Sequence, residues 1–168
     1  ISIEPGKSGK LKVAGPFAKD LPRSNHSLVL KAARLFNNIK FSRITLEKNI
    51  PVTSGIGGGS ADAAATVRLF SKFYNKPELP IEKLISLGSD VPVCMQKGIV
   101  RMMGFGEEII NLSPAPKVGI LLVNPRKALS TAEVFSAVKE KNNSGLKALR
   151  LLKPKLWETR LKLICIKQ

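Results

Sequence analysis

Hydrophobic and polar positions alternate with two different periods along the first half of the chain. Over residues 41–50, Ile44, Leu46 and the aliphatic stem of Lys48 alternate with Arg43, Thr45 and Glu47, which predicts a strand with one buried face. Helical spacing precedes and follows it. Over residues 24–39, Leu28, Ala32, Leu35, Phe36 and Ile39 fall on one face, with Ser24 or Asn25 placed to cap the helix. Over residues 60–74, Ala63, Val67, Phe70 and Tyr74 make a second stripe. Asp62 then falls in the first turn, where a carboxylate suits the helix dipole.

Weaker patterns fill the rest. Residues 1–13 predict a strand, a turn and a second strand, followed by a loop over 14–23 marked by Pro16 and Pro22. A short helix is predicted over 80–87, ended by Gly88, and a strand over 98–103, followed by a GFGEE turn. The run VGILLV at 118–123 predicts a buried strand, and a helix capped by Ser130 or Thr131 follows over 130–139. Beyond Glu140 a KNNSG linker leads into a basic and apolar tail that offers no site residues.

The chemistry is concentrated between the predicted strand at 41–50 and the helix at 60–74, in PVTSGIGGGSADAAA at 51–65. Gly55, Gly57, Gly58 and Gly59 lie ahead of an alanine-rich helix start. Glycines accept positive φ and let another group approach the backbone closely. A helix start adds unpaired N–H groups and the positive end of the dipole. Phosphate is the natural guest of such a loop. The Walker pattern is not met, because no Gly-Lys-Ser/Thr closes the loop. The dinucleotide pattern is not met either, because the preceding strand alternates and Asn75 and Lys76 occupy the place of its acidic residue. The loop therefore points to phosphate binding of a third kind. Asp90 is a second candidate. It lies between Gly88 and Pro92 beside Val91, Val93 and Met95, where a partly desolvated carboxylate would serve as a base, although an aspartate before a proline is also an ordinary turn former.

The chain of 168 residues is long enough for a proper core. Its 28 Lys and Arg against 12 Asp and Glu give +16, which raises nucleic acid as a partner. The basic residues are spread along the chain, however, and no signature with paired aromatics accompanies them. A basic surface also suits a protein that handles polyanionic nucleotides. Cys94, Cys165 and the single His26 argue against both a His/Cys metal site and a disulfide framework. With no signal peptide and no apolar run of bilayer length, the expected compartment is the cytoplasm and no membrane partner is expected.

The glycine loop resembles the phosphate-binding motif of the GHMP kinases, and its GGGSADAAA core is most similar to the branch acting on 4-diphosphocytidyl-2-C-methyl-D-erythritol in the non-mevalonate isoprenoid pathway. Four further stretches resemble that branch. NHSLVLKAARLF is similar to its NLVxKAAxxL helix, LGSDVPVCM to its LGADVPFF motif and GFGEEI to its G-x-GE motif. NPRKALSTAEVF, with Thr131 and Phe135, is similar to its P-x-x-x-x-STxxVF motif. The resemblance implies ATP-dependent phosphorylation of the 2-hydroxyl of that small-molecule substrate, with Mg²⁺. By resemblance, Asp90 is the catalytic aspartate and Lys48, Pro51, Gly55, Gly57, Gly58, Gly59, Ser60 and Ala61 bind the nucleotide. The implied fold is α+β, with a partial ribosomal-protein-S5-like ATP-binding domain over 1–112 and a fragment of a ferredoxin-like C-terminal domain over 113–168.

The departures bear on activity. The family's catalytic lysine and DGYH-like substrate loop have no counterpart, and its NDLE and SGSG-type motifs are absent. Ser27 stands where the NLV asparagine is expected to face adenine, with Asn25 shifted by two. The expectation is a chain truncated at both ends. Two alternatives stay open: a non-catalytic kinase remnant, and a basic nucleic-acid-binding module on an S5-like scaffold.

Overall fold

The strand β3 (Ser42–Glu47) is the centre of a three-stranded sheet in the computed structural model, which describes residues 1–6, 9–21, 27–37, 42–52, 54–112, 121 and 131–139. Ser42, Ile44 and Leu46 are buried, whereas Arg43 and Glu47 are exposed, as the alternation predicts. β1 (Ser2–Pro5) pairs antiparallel on one side of β3 and β2 (Leu11–Ala14) parallel on the other. The two strands expected at the start are thus present. The two strands do not pair with each other but flank β3. The parallel β2–β3 pairing needs a long crossover, and α1 (Leu28–Arg34) lies within it.

The buried face of β3 shares one core with α1 and α2 (Gly58–Phe73), built on Val29, Ala32, Ala33, Phe36, Ile44, Leu46, Ala63, Ala64, Val67 and Phe70. Two alanine pairs, Ala32–Ala33 and Ala63–Ala64, are fully buried where these helices pack. Small side chains let the helix axes come close, and Phe36 and Phe70 fill the remaining space with ring centroids 5.5 Å apart. The α1 stripe is therefore rotated from the one read in the sequence. Val29 and Ala33 are buried, while Leu28 and Leu35 are only half-buried at its margin. Alanine carries little hydrophobic signal, yet here all four alanines are fully buried. Ser27 is the N-cap without a side-chain bond, and Ser24, Asn25, His26 and Ile39 lie outside the described residues.

After α2 come α3 (Ile81–Leu87), closed by Gly88 as expected, and α4 (Val91–Met95), which the sequence reading treats as a turn. Asp90 as N-cap and Pro92 in the first turn are the signals for this one-turn helix. The predicted strand at 98–103 is β4 (Ile99–Met103). It pairs antiparallel with β5 (Glu108–Leu112), an element not expected, across the predicted glycine turn. The chain divides into two compact units, Ile1–Asn124 and Pro125–Gln168. In the second, α5 (Thr131–Ser136) matches the helix expected at 130–139. The strand expected at 118–123 lies outside the described residues except for Leu121, which is exposed, and so does the basic tail. Among the described residues no helix is long and apolar enough to cross a membrane. Mixed helices and strands with both kinds of pairing make this an α+β protein.

Candidate functional site

The glycine loop joins the end of β3 to the start of α2, and its backbone explains only some of its glycines. Gly55 has φ 69° and Gly57, the N-cap of α2, has φ 70°, a left-handed conformation that favours glycine. Helix α2 begins at Gly58, two residues earlier than the apolar stripe suggests. Its first helical bond runs from the Ala61 N–H to the Gly57 C=O, 2.9 Å apart. The N–H groups of Gly58, Gly59 and Ser60 therefore have no helical partner at the positive end of a 16-residue helix.

Gly58 and Gly59 need no special φ, and the protein leaves room for a side chain at each. A Cβ on Gly58 would lie 3.4 Å from Lys48 Nζ and 3.7 Å from Ile50 Cγ2, and one on Gly59 would lie 3.5 Å from Leu28 Cδ1. These are ordinary contact distances. Glycine inside a helix costs about 0.5–1 kcal/mol against alanine. Contacts of this length give no internal packing reason for either glycine.

Lys48 forms the floor of this loop. Its N–H donates to the Ala14 C=O at 2.7 Å, and its C=O accepts the Phe17 N–H at 3.2 Å. Gly15, at φ 96°, crosses that same backbone so closely that a Cβ would lie 2.6 Å from Lys48 O and 2.8 Å from Lys48 N. The Lys48 ammonium is 2.6 Å from Asp62 Oδ2, with side chains 6% and 25% exposed. This corrects the reading of Asp62. Because α2 starts early, Asp62 lies in its second turn and pairs with Lys48 rather than with the helix end.

Asp90 is exposed, so the desolvation expected from its apolar sequence neighbours is not found. Helix α4 turns Val91 and Pro92 into the core and leaves Asp90 outside as the N-cap, its C=O accepting the Cys94 N–H at 3.1 Å. The Cys94 thiol is held above its usual pKa by burial and then by the Asp90 charge, against an opposing effect of Arg68. Arg68, which the sequence reading missed, reaches from α2 to donate to the Cys94 C=O at 2.7 Å. Gly106, part of the expected GFGEE turn, makes a contact that the sequence does not announce. It is buried, has φ 102°, and a Cβ there would collide with the Ser89 carbonyl oxygen. The GFGE turn and the residue before Asp90 thus touch through backbone.

The structure brings Lys48, Pro51, Gly55, Gly57, Gly58, Gly59, Ser60 and Ala61 into one strand–loop–helix unit. Asp90 stands on α4, which packs against the same helix α2. Among the described residues no three His, Cys, Asp or Glu side chains gather into a cation cage.

Residues 27–102 match the GHMP kinases N terminal domain. The 4-diphosphocytidyl-2-C-methyl-D-erythritol kinase of Paracoccus denitrificans (strain Pd 1222) is 46% identical over 143 residues, which are 85% of this chain and 49% of that protein. The kinase of the same name from Cereibacter sphaeroides (strain ATCC 17025 / ATH 2.4.3) is 42% identical over 144 residues, 85% of this chain and 51% of that one. A crystal structure of 4-(cytidine 5'-diphospho)-2C-methyl-D-erythritol kinase superposes with a TM-score of 0.52 at 31% identity, covering 67% of this chain and 41% of the other. The chain spans about half the length of the curated relatives it matches.

Proposed function

We propose that this chain, whose residues 27–102 match the GHMP kinases N terminal domain, carries the nucleotide-binding part of an ATP-dependent small-molecule kinase. Its relatives bear the name of a 4-diphosphocytidyl-2-C-methyl-D-erythritol kinase, and we assign the same acceptor here. The reaction would move the γ-phosphoryl group of ATP to the substrate's 2-hydroxyl. The observation that carries this reading is the bare helix start. Gly58, Gly59 and Ser60 present unpaired N–H groups where the protein itself gives no reason for the two glycines.

In this reading those amides hold the ATP phosphates, with Gly55 and Gly57 setting the loop's path and Pro51 and Ala61 at its two ends. Mg²⁺ enters with ATP as part of the substrate, held chiefly by phosphate oxygens, as this ion usually is. Asp90 accepts the proton of the attacking hydroxyl. Its exposure keeps it open to a second ligand. Positioning and charge neutralisation would supply most of the rate, as in other phosphoryl transfers. We assign residues 1–112 to part of an S5-like ATP-binding domain and 113–168 to a fragment of a ferredoxin-like domain.

The test is thermal unfolding with and without MgATP on the wild-type chain, Gly58→Val and Asp90→Asn. Expected is a rise in midpoint that Gly58→Val abolishes and Asp90→Asn keeps. Phosphoryl transfer to the diphosphocytidyl substrate is then assayed, with Asp90→Asn inactive. No rise with the wild-type chain would overturn nucleotide binding by this loop.

A further inference from the structure

We infer that Asp62 is a positioning residue, and that its ion pair with Lys48 closes the base of the glycine loop instead of presenting a cation to the phosphates. Lys48 and Asp62 are fourteen positions apart in sequence, and all four loop glycines lie between them. The pair therefore ties the end of β3 to the second turn of α2.

Three observations place Lys48 in a structural seat. Both its backbone groups are bonded, to Ala14 and Phe17, and Gly15 leaves room for that contact. The side chain is 6% exposed, so the ammonium lies under the loop rather than in front of it. Its charge is met at 2.6 Å by a carboxylate, which leaves little net charge for a phosphate. Gly58 lies directly over Nζ, as the 3.4 Å distance to a Cβ built there shows. The amides of Gly58, Gly59 and Ser60 are aimed by the helix start, and the pair fixes where that start lies relative to β3.

The ligand part of this inference rests on the nucleotide reading above, and the two can fail separately. The two roles for Lys48 predict opposite signs. If its ammonium were a phosphate clamp, Asp62 would compete with ATP, and Asp62→Asn would tighten binding. If the pair is a strut, Asp62→Asn loosens the loop and weakens binding.

The experiment compares wild type, Asp62→Asn and Asp62→Glu by amide hydrogen exchange without ligand, and by the MgATP-induced rise in unfolding midpoint measured from each variant's own baseline. In Asp62→Asn the Ala61 amide should exchange about tenfold faster while the mid-helix Val67 amide keeps its protection, and the MgATP increment should shrink. Asp62→Glu should restore both. A general loss of stability would speed exchange at Val67 as well and leave the increment intact. Unchanged Ala61 protection, or an increased MgATP rise in Asp62→Asn, overturns the strut. If MgATP has no effect on wild type, the nucleotide reading falls and the exchange comparison still decides the strut.

Discussion

Lys48 Nζ lies 2.6 Å from Asp62 Oδ2, and the lysine is the more deeply buried partner. That asymmetry sets the order of two substitutions. Asp62→Ala strands an ammonium in the interior, which costs about 3–5 kcal/mol for a buried pair and somewhat less here because Asp62 keeps some solvent contact. Lys48→Met leaves the more exposed carboxylate and keeps an apolar stem in place, so its cost should be about 1 kcal/mol. Denaturant unfolding of both single variants and the double variant checks this. The double variant should be more stable than Asp62→Ala alone, because no buried charge is left behind.

Gly15→Ala tests the seat from the other side. The residue has φ 96°, and a Cβ would meet the Lys48 backbone at 2.6 and 2.8 Å. Both the backbone conformation and the contact oppose a side chain, and a cost of about 1–3 kcal/mol is expected from strain alone. Far-UV circular dichroism during thermal unfolding should show a lowered midpoint. The Lys48 amide, which donates to the Ala14 C=O, should lose protection from exchange in the same variant.

The loop glycines should separate stability from binding. Gly58→Ala and Gly59→Ala each have room for the methyl group, so each should stabilise α2, by no more than about 0.5 kcal/mol because both lie in its first turn. Each methyl group also stands beside an amide offered to the phosphates and, at Gly58, meets Lys48 Nζ. The unfolding midpoint without ligand should rise while the MgATP increment falls. A variant that gains stability and keeps the full increment would show that the bare surface has no part in binding.

How much of this was legible follows from which residues carried a strong signal. The β3 alternation of Arg43, Ile44, Thr45 and Leu46 gave the central strand, and the stripe of Ala63, Val67 and Phe70 gave α2. Alanine pairs and long-range pairing were harder. Ala33 looks neutral in sequence yet sits against another helix, and nothing local tells β1 to pair with β3 rather than with β2. The glycine loop was visible as a phosphate site because glycine clusters carry their own backbone logic. Asp62 was misplaced because helix starts are read from apolar stripes, and this one begins on two glycines. The roles of Gly15 and Gly106 were not legible, although Gly106 falls in the expected GFGEE turn, because each matters through the backbone of a residue far away in sequence.

Gly106 supports Asp90 through Ser89. A methyl group there would push against the Ser89 carbonyl, and φ 102° adds strain. Gly106→Ala should therefore disturb the Ser89–Asp90 backbone more than the glycine loop. The expected outcome is a lowered midpoint with the MgATP increment retained, and phosphoryl transfer reduced more than nucleotide binding. Loss of the increment with transfer unaffected would contradict this placement.

Cys94 reports on the surroundings of Asp90 without any substrate. Its thiol pKa is raised, first by burial and second by the Asp90 charge, while Arg68 lowers it. Thiolate is the reactive form, so a raised pKa means less of it at any given pH and slower alkylation than for a free cysteine. In a Cys165→Ser background, the iodoacetamide rate should rise with pH through a midpoint above that of a model peptide. Asp90→Asn removes a repelling charge and should move the midpoint down. Arg68→Met removes a stabilising charge and should move it up. Opposite displacements from these two substitutions would place both side chains within electrostatic reach of one sulfur atom. That ties the candidate base on α4 to the helix that carries the glycine loop. A midpoint indifferent to Asp90→Asn would mean that its carboxylate lies out of electrostatic reach of the Cys94 sulfur.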